Sequence, residues 1–324
     1  MVRFIDLFCW IWWFRLALSR LWMECVFSSD IDENCRKTYF ENYWEVPEWD
    51  ITKIAPENIP DHEILCAWFP CQPFSVSWKQ LWFNDTRWTL FFNILNILKE
   101  KKPKVVFLEN VSNLRTHDKW RTLQVIISSL NELWYKTSYK VLNAKDFWVP
   151  QNRERIIIVA SLDKEFDFSL VHKNDTTTIR DILDKEWDFE YLKPEDYTII
   201  DKKYRKRQPS WLIFCWYRNK TIRKNWARPN TEHLSRVHKQ PNRIYHINWV
   251  HPTIPSQEVS GRFRIYNDKN VRKLTIDECF KLQWFPKSFK KIWSKWTLYK
   301  QIGNSVPVPL IEAVANEIKN QFFN

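Results

Sequence analysis

The residues best suited to covalent chemistry stand in Phe69-Pro70-Cys71-Gln72-Pro73-Phe74-Ser75, a cysteine between two prolines. The apolar run Glu63–Ala67 precedes it. Proline fixes its own φ and pushes the residue before it toward extended backbone. Cys71 is therefore expected on a rigid, non-helical turn at the end of a buried strand. In α/β sheets, ligands and catalytic groups gather at the carboxyl ends of strands. A thiol there becomes a nucleophile if its surroundings lower its pKa; otherwise it is a small buried hydrophobe. Glu109 ends a second apolar run, Lys104–Leu108, and reads either as a candidate acid or as a surface cap. Arg153 and Arg155 precede a third run, through Ser161.

The elements that must position these residues follow from periodicity. Residues 2–8 read as a strand, 9–13 as a turn, 14–21 as a helix and 25–29 as a second strand ending in Asp30-Ile31-Asp32. A tight turn after strand one and an acid at the end of strand two form the dinucleotide-type βαβ layout. A plain helix entry with a capping Asp has the same pattern. Asp50-Ile51 is either a further cofactor contact or an Asx turn. Residues 74–87 form a loop beside Cys71, the usual place for a lid. Helices fit 90–101 and 121–133, and strands fit 104–108, 137–142 and 155–161. The alternation predicts an α/β fold with a doubly wound, mostly parallel sheet over residues 1–164. It then stops: residues 165–290 predict a smaller, irregular, β-rich domain, and 291–324 a segment returning to the first. Within them, a short helix capped at Thr275 and a final helix after Val306 are expected.

Composition narrows the classes. The net charge is +12, and residues 202–243, with thirteen Lys or Arg and the single acid Glu232, account for all of it. Aromatic residues and prolines interleave with this block, so it reads as an ordered polyanion-binding surface. No apolar run approaches the ~20 residues of a membrane span. Seven cysteines without a C-x-x-C pair argue for a reducing compartment, no disulfide framework and no metal site. Trp occurs 21 times and Gly twice, although a chain of this length should hold ~23 glycines. Many tryptophans stand where glycine chemistry is expected, such as Trp10, Trp12 and Trp13 in the first turn. The expectation is that most are glycine positions, through a UGA codon read as glycine in the organism and written here as tryptophan. A tryptophan-rich protein using indoles as core or stacking platforms is the rival.

Six motifs in order resemble the cytosine-C5 DNA methyltransferases over nearly the whole chain. These are Asp6–Arg15, Pro70-Cys71-Gln72, Glu109-Asn110-Val111, Gln151–Arg155, Arg272–Pro286 and Gly303–Val306. The departures are tryptophans at family glycines, including 10, 12, 13, 68 and 284. The resemblance implies a class I methyltransferase fold, Rossmann-like, and methyl transfer from S-adenosylmethionine to C5 of a cytosine in double-stranded DNA. By that resemblance Cys71 adds to C6 of a flipped-out base, and Glu109, an acid whose pKa burial can raise, assists at N3. Arg153 and Arg155 orient the site, with Arg155 on the cytosine O2.

Cofactor contacts carried over in the same way are Phe8, Trp10, Trp12, Trp13, Asp30, Ile31, Asp50, Ile51, Asn304, Ser305 and Val306. The basic domain becomes the target-recognition domain, with Gln72, Ser75, Arg218, Arg223, Arg236, Arg243 and Thr253 as candidate DNA contacts. The resemblance implies a bacterial, cytoplasmic, monomeric modification methylase, and leaves open whether a separately acting restriction endonuclease accompanies it. Two alternatives stay open: a tRNA cytosine-C5 methyltransferase, and a catalytically dead DNA-binding protein if the tryptophans are genuine.

Overall fold

The computed structural model describes residues 1–69, 86–175, 177–185, 188–223, 227–257 and 261–324. Cys71, Gln72, Ser75 and most of the expected 74–87 loop lie outside them. The chain packs as two units: Met1–Asn143 with Glu154–Lys173 and Val308–Asn324, and Ala144–Arg153 with Asn174–Pro307.

The first unit holds β1 (Arg3–Leu7), β2 (Glu24–Ser29), β3 (Ile64–Trp68), β4 (Val105–Val111), β5 (Lys136–Asn143) and β7 (Glu154–Ser161); β6 (Gln151–Asn152) belongs to the second. The sheet order is β2-β1-β3-β4-β7-β5. The first four strands are mutually parallel, while β7 runs antiparallel to both β4 and β5. The expected parallel sheet thus carries one reversed strand. Every residue of β7 after Glu154 is buried, as a strand covered on both faces must be. At the edge, β5 exposes Lys136 and Lys140, charges that discourage further pairing. Around the sheet run α1 (Trp13–Arg20), α2 (Glu33–Tyr43), α3 (Thr86–Lys101) and α4 (Arg121–Glu132). Leu65, Ile94, Leu98, Val106, Ile126 and Ile158 are fully buried between the layers.

The second unit holds β8 (Tyr197–Ile199), β9 (Phe214–Arg218), β10 (Arg243–His246), β11 (His251–Pro252), β12 (Arg264–Tyr266) and β13 (Val271–Lys273), then α5 (Ile276–Leu282) and α6 (Lys295–Asn304). Five of these strands form a sheet in the order β13-β12-β10-β9-β8, and β11 pairs with β6. The last helix, α7 (Val308–Phe322), belongs to the first unit, where Arg20 meets Glu312 at 3.0 Å and Lys319 donates to the Leu21 carbonyl.

Fifteen described non-glycine residues have positive φ, and nine of them are tryptophan: 10, 12, 22, 44, 120, 134, 148, 211 and 284. The left-handed region brings Cβ too close to the carbonyl oxygen, which costs about 1–2 kcal/mol per L-residue. Nine such sites cost in total about as much as the ~5–15 kcal/mol by which a domain is stable.

Thr275 caps α5 through a reciprocal box with Glu278. The same buried carboxylate takes both arms of Arg272, at 2.8 and 2.6 Å, and the Asp184 N–H at 2.9 Å. Arg272 also lies 3.9 Å over the Phe189 ring. Removing one partner of a buried, multiply bonded pair strands the other charge. Glu278→Ala should cost about 3–5 kcal/mol in urea denaturation, whereas a loss below about 1 kcal/mol would mean that Arg272 finds water instead.

Candidate active site

Glu109 is reached by β4, whose apolar run carries it, fully buried, to the strand's carboxyl end. Its register partner on the antiparallel side is Ile157, and Arg155 lies opposite Val111. That register brings Arg155 Nε to 2.9 Å from Glu109 Oε1. Burial pulls the guanidinium pKa below its ordinary value, and the Glu109 charge opposes that pull. Asn110 faces a different task. Its side-chain amide donates to the Phe69 carbonyl at 2.7 Å, tying the end of β4 to the residue two before Cys71. The six described cysteines are all buried, and burial pushes Cys25 up to about 11 and Cys9, Cys66 and Cys279 well above the ordinary thiol value.

At the end of β2, Asp30 accepts the Trp10 N–H at 2.8 Å and the Asp32 N–H at 2.8 Å. Desolvation raises its pKa to about 6, against those hydrogen bonds. Ile31 beside it is 66% exposed. Asp50 binds the Thr52 N–H and hydroxyl, and Ile51 is buried. Phe8, Trp10 and Trp12 all have positive φ. The Trp12 and Trp13 indoles are buried; Trp12 meets Tyr43 edge-on at 4.2 Å, and Trp13 meets Trp68 edge-on at 6.4 Å.

Within the second unit, Arg153 is 1% exposed. Its guanidinium donates to the carbonyls of Gly303 at 2.8 Å, Ser305 at 2.6 Å and Ile254 at 3.3 Å. It is a positioning residue for the carboxyl end of α6 and its C-cap Ser305, where Asn304 is half-buried and Ser305 and Val306 are buried. Gly303 has no room to be anything else: a Cβ there would stand 2.1 Å from the Pro255 oxygen. Thr253 donates to the Asn152 carbonyl at 2.8 Å beside the β6–β11 pair. Of the candidate DNA contacts, Arg223 and Arg236 are exposed and Arg218 half-buried. Arg243 instead directs its fork to the His238 carbonyl, at 3.2 and 3.1 Å. A cleft in the same unit is lined by Tyr204, Lys206, Gln208, Ser210 and His233, with Tyr204 stacked on His233 at 4.1 Å.

The profile of the C-5 cytosine-specific DNA methylase family matches residues 2–320. The chain belongs to that family. This cytosine methylase is 39% identical to the type II methyltransferase M.HhaI of Haemophilus parahaemolyticus, over 98% of its own length and 94% of that protein. It is likewise 39% identical to the type II methyltransferase M.HaeII of Haemophilus aegyptius, over 98% and 92%. Its fold matches a putative DNA modification methyltransferase from an Escherichia coli prophage, at 18% identity, full coverage of both chains and a TM-score of 0.71. It also matches the S. pombe Dnmt2 methyltransferase, at 19% identity, full coverage of both and a TM-score of 0.70. The expected class I methyltransferase fold and DNA cytosine-5 methyltransferase activity stand on these findings.

For a nucleoside-bearing methyl donor, the residues just after β2 are apt: the carboxylate of Asp30 and the exposed aliphatic side chain of Ile31. The turn as written does not fit. Close approach of backbone to a ligand requires small residues, and three indoles stand at 10, 12 and 13, two of them buried in the protein's interior. Sequence reasoning missed the brace from Asn110 to Phe69 and the backbone anchoring by Arg153. Asparagine beside the strand-end acid was the available signal for the first; nothing local pointed to the second.

Two outcomes are expected. Gly303→Ala should destabilise the methylase by about 1–3 kcal/mol through overpacking, read by thermal melting. The folded Asp30 pKa of about 6 lies above the ordinary ~4 of an unfolded Asp, so the fold holds that proton more tightly. This contribution to stability is greatest below pH ~4 and falls by up to about 3 kcal/mol as pH rises to 6. Asp30→Asn should flatten the slope of urea stability across that window, and an unchanged slope would overturn the assignment.

Proposed function

We propose that this methylase modifies C5 of a cytosine within a specific double-stranded DNA sequence, using Cys71 as the nucleophile and S-adenosylmethionine as the methyl donor. The observation that carries the site assignment is the buried Glu109–Arg155 pair at the end of β4, with Asn110 tying that strand end to Phe69. Cytosine C5 is a weak nucleophile, so a thiolate must first add to C6. Burial raises the pKa of Cys9, Cys25, Cys66, Cys215 and Cys279 and favours their neutral form, and the Pro70-Cys71-Gln72 motif assigns the role to Cys71. As the Cys71 sulfur bonds to C6, electron density moves into the ring; Glu109 stabilises it by a proton or hydrogen bond at N3. Arg155 fixes the carboxyl's orientation and offers its remaining N–H groups to the cytosine O2. C5 then carries the density that takes a methyl group. Loss of the C5 proton and of the sulfur restores aromaticity and frees Cys71.

S-adenosylmethionine supplies an electrophilic methyl group on a sulfonium. Asp30 and Ile31 would serve its ribose and adenine, and Asp50 and Ile51 the adenine edge. By the family resemblance Phe8 would serve its methionine part, and Asn304, Ser305 and Val306 would be further contacts; the 9–13 turn would join them only with small residues at 10, 12 and 13. The second unit acts as the target-recognition domain, where Arg218, Arg223 and Arg236 neutralise phosphates and Thr253 meets the flipped nucleotide's backbone. Gln72 and Ser75 accompany Cys71 at the base. The protein works as a monomer in the bacterial cytoplasm; whether a separately acting restriction endonuclease accompanies it stays open. No described helix is long and apolar enough to cross a membrane.

Bisulfite sequencing of DNA from cells expressing the chain with glycine in place of the tryptophans at family glycine positions should show one methylated cytosine context, and Cys71→Ala in that chain should erase it while DNA retention persists. Glu109→Gln should lower the methylation rate by at least about 100-fold, the usual scale of acid–base assistance. Methylation of tRNA and not of duplex DNA would overturn the reading.

A further inference from the structure

We propose that the nine left-handed tryptophans are glycines in the protein that its own cell makes, their codon being UGA decoded there as glycine. The inference stands on backbone geometry and does not rest on the methyl-transfer reading.

Helix ends supply the strongest evidence. After α1, Trp22 N–H bonds the Ser19 carbonyl and Met23 N–H bonds that of Leu18. After α4, Trp134 N–H bonds Asn131 and Tyr135 N–H bonds Leu130. After α5, Trp284 N–H bonds Lys281 and Phe285 N–H bonds Phe280. Each is a complete Schellman motif, with the residue beyond the cap at φ of 62, 69 and 63°. That position is left-handed and usually glycine, because glycine alone has no Cβ to clash. Trp44 ends α2 in the same region, its N–H on the Phe40 carbonyl. Trp12 and Trp120 hold left-handed N-cap positions without a capping side chain.

The side chains argue the same way. Trp22 and Trp134 are 81% and 85% exposed, so these indoles gain almost nothing from burial. A protein using tryptophan as core or stacking platform would place it where φ is negative and the ring is covered. Composition closes the case, since two glycines cannot serve nine left-handed turns. One triplet with two decodings explains all nine substitutions at once, and independent mutation does not. The 9–13 turn that fails to fit a methyl donor is then a glycine turn at positions 10 and 12.

Sequencing the nine codons, with peptide masses of the protein isolated from its source cells, tests this directly. UGA codons and glycine masses are expected; UGG codons, or tryptophan masses, overturn it. A recombinant pair tests the physical step: the chain as written, and the chain with glycine at all nine positions. The glycine chain should melt roughly 10 °C higher or more; equal or lower melting overturns the backbone argument. Calorimetric titration with S-adenosylmethionine separates the two readings. A glycine chain that melts higher yet binds no donor upholds the glycine assignment and sinks the donor assignment.

Discussion

The ion pair between Glu109 and Arg155 is the interaction on which the rest of the site depends. A carboxylate that is fully buried at the end of a strand is costly unless paired and hydrogen-bonded. The reversed β7 places the partner: running antiparallel to β4, it puts Arg155 opposite Val111, within reach of Glu109. A parallel strand in that slot would enter the sheet from the opposite end. The one departure from parallel pairing is therefore also what completes the surroundings of Glu109.

Around that pair the fold separates chemistry from support by burial. Thiols in the core lose the solvation a thiolate needs, and all six described cysteines lie there. The two arginines of the Gln151–Arg155 motif part company in the same way. Arg155 pairs with the carboxylate, whereas Arg153 spends its donors on three backbone carbonyls and holds the carboxyl end of α6 with its C-cap Ser305. Gly303 sits at the centre of that anchoring because the Pro255 backbone leaves no room for a Cβ.

A second constraint runs through the whole chain. Left-handed backbone at helix ends is demanded by the hydrogen bonds of the last turn, whatever side chain is written there. Fold and family membership survive the tryptophans because burial patterns and strand order carry them. Local energetics and the 9–13 turn do not, because both depend on the absence of a side chain.

The sequence alone determined the alternation of strands and helices, the order of six motifs, the basic block and the shortage of glycine. Each is a property of residue type and spacing, which is why the sheet, the Thr275 cap of α5 and the family are legible in it. It did not reveal that β7 is reversed, since a buried strand has the same apolar run in either direction. Nor did it reveal that residues 144–153 pack with the second unit, that Asn110 braces Phe69, or that Arg153 and Arg155 hold different partners. Those follow from pairings between residues 41 to 152 positions apart, which only tertiary structure brings together. The glycine shortage was visible as a count; only the backbone decided which tryptophans stand in conformations that a side chain opposes.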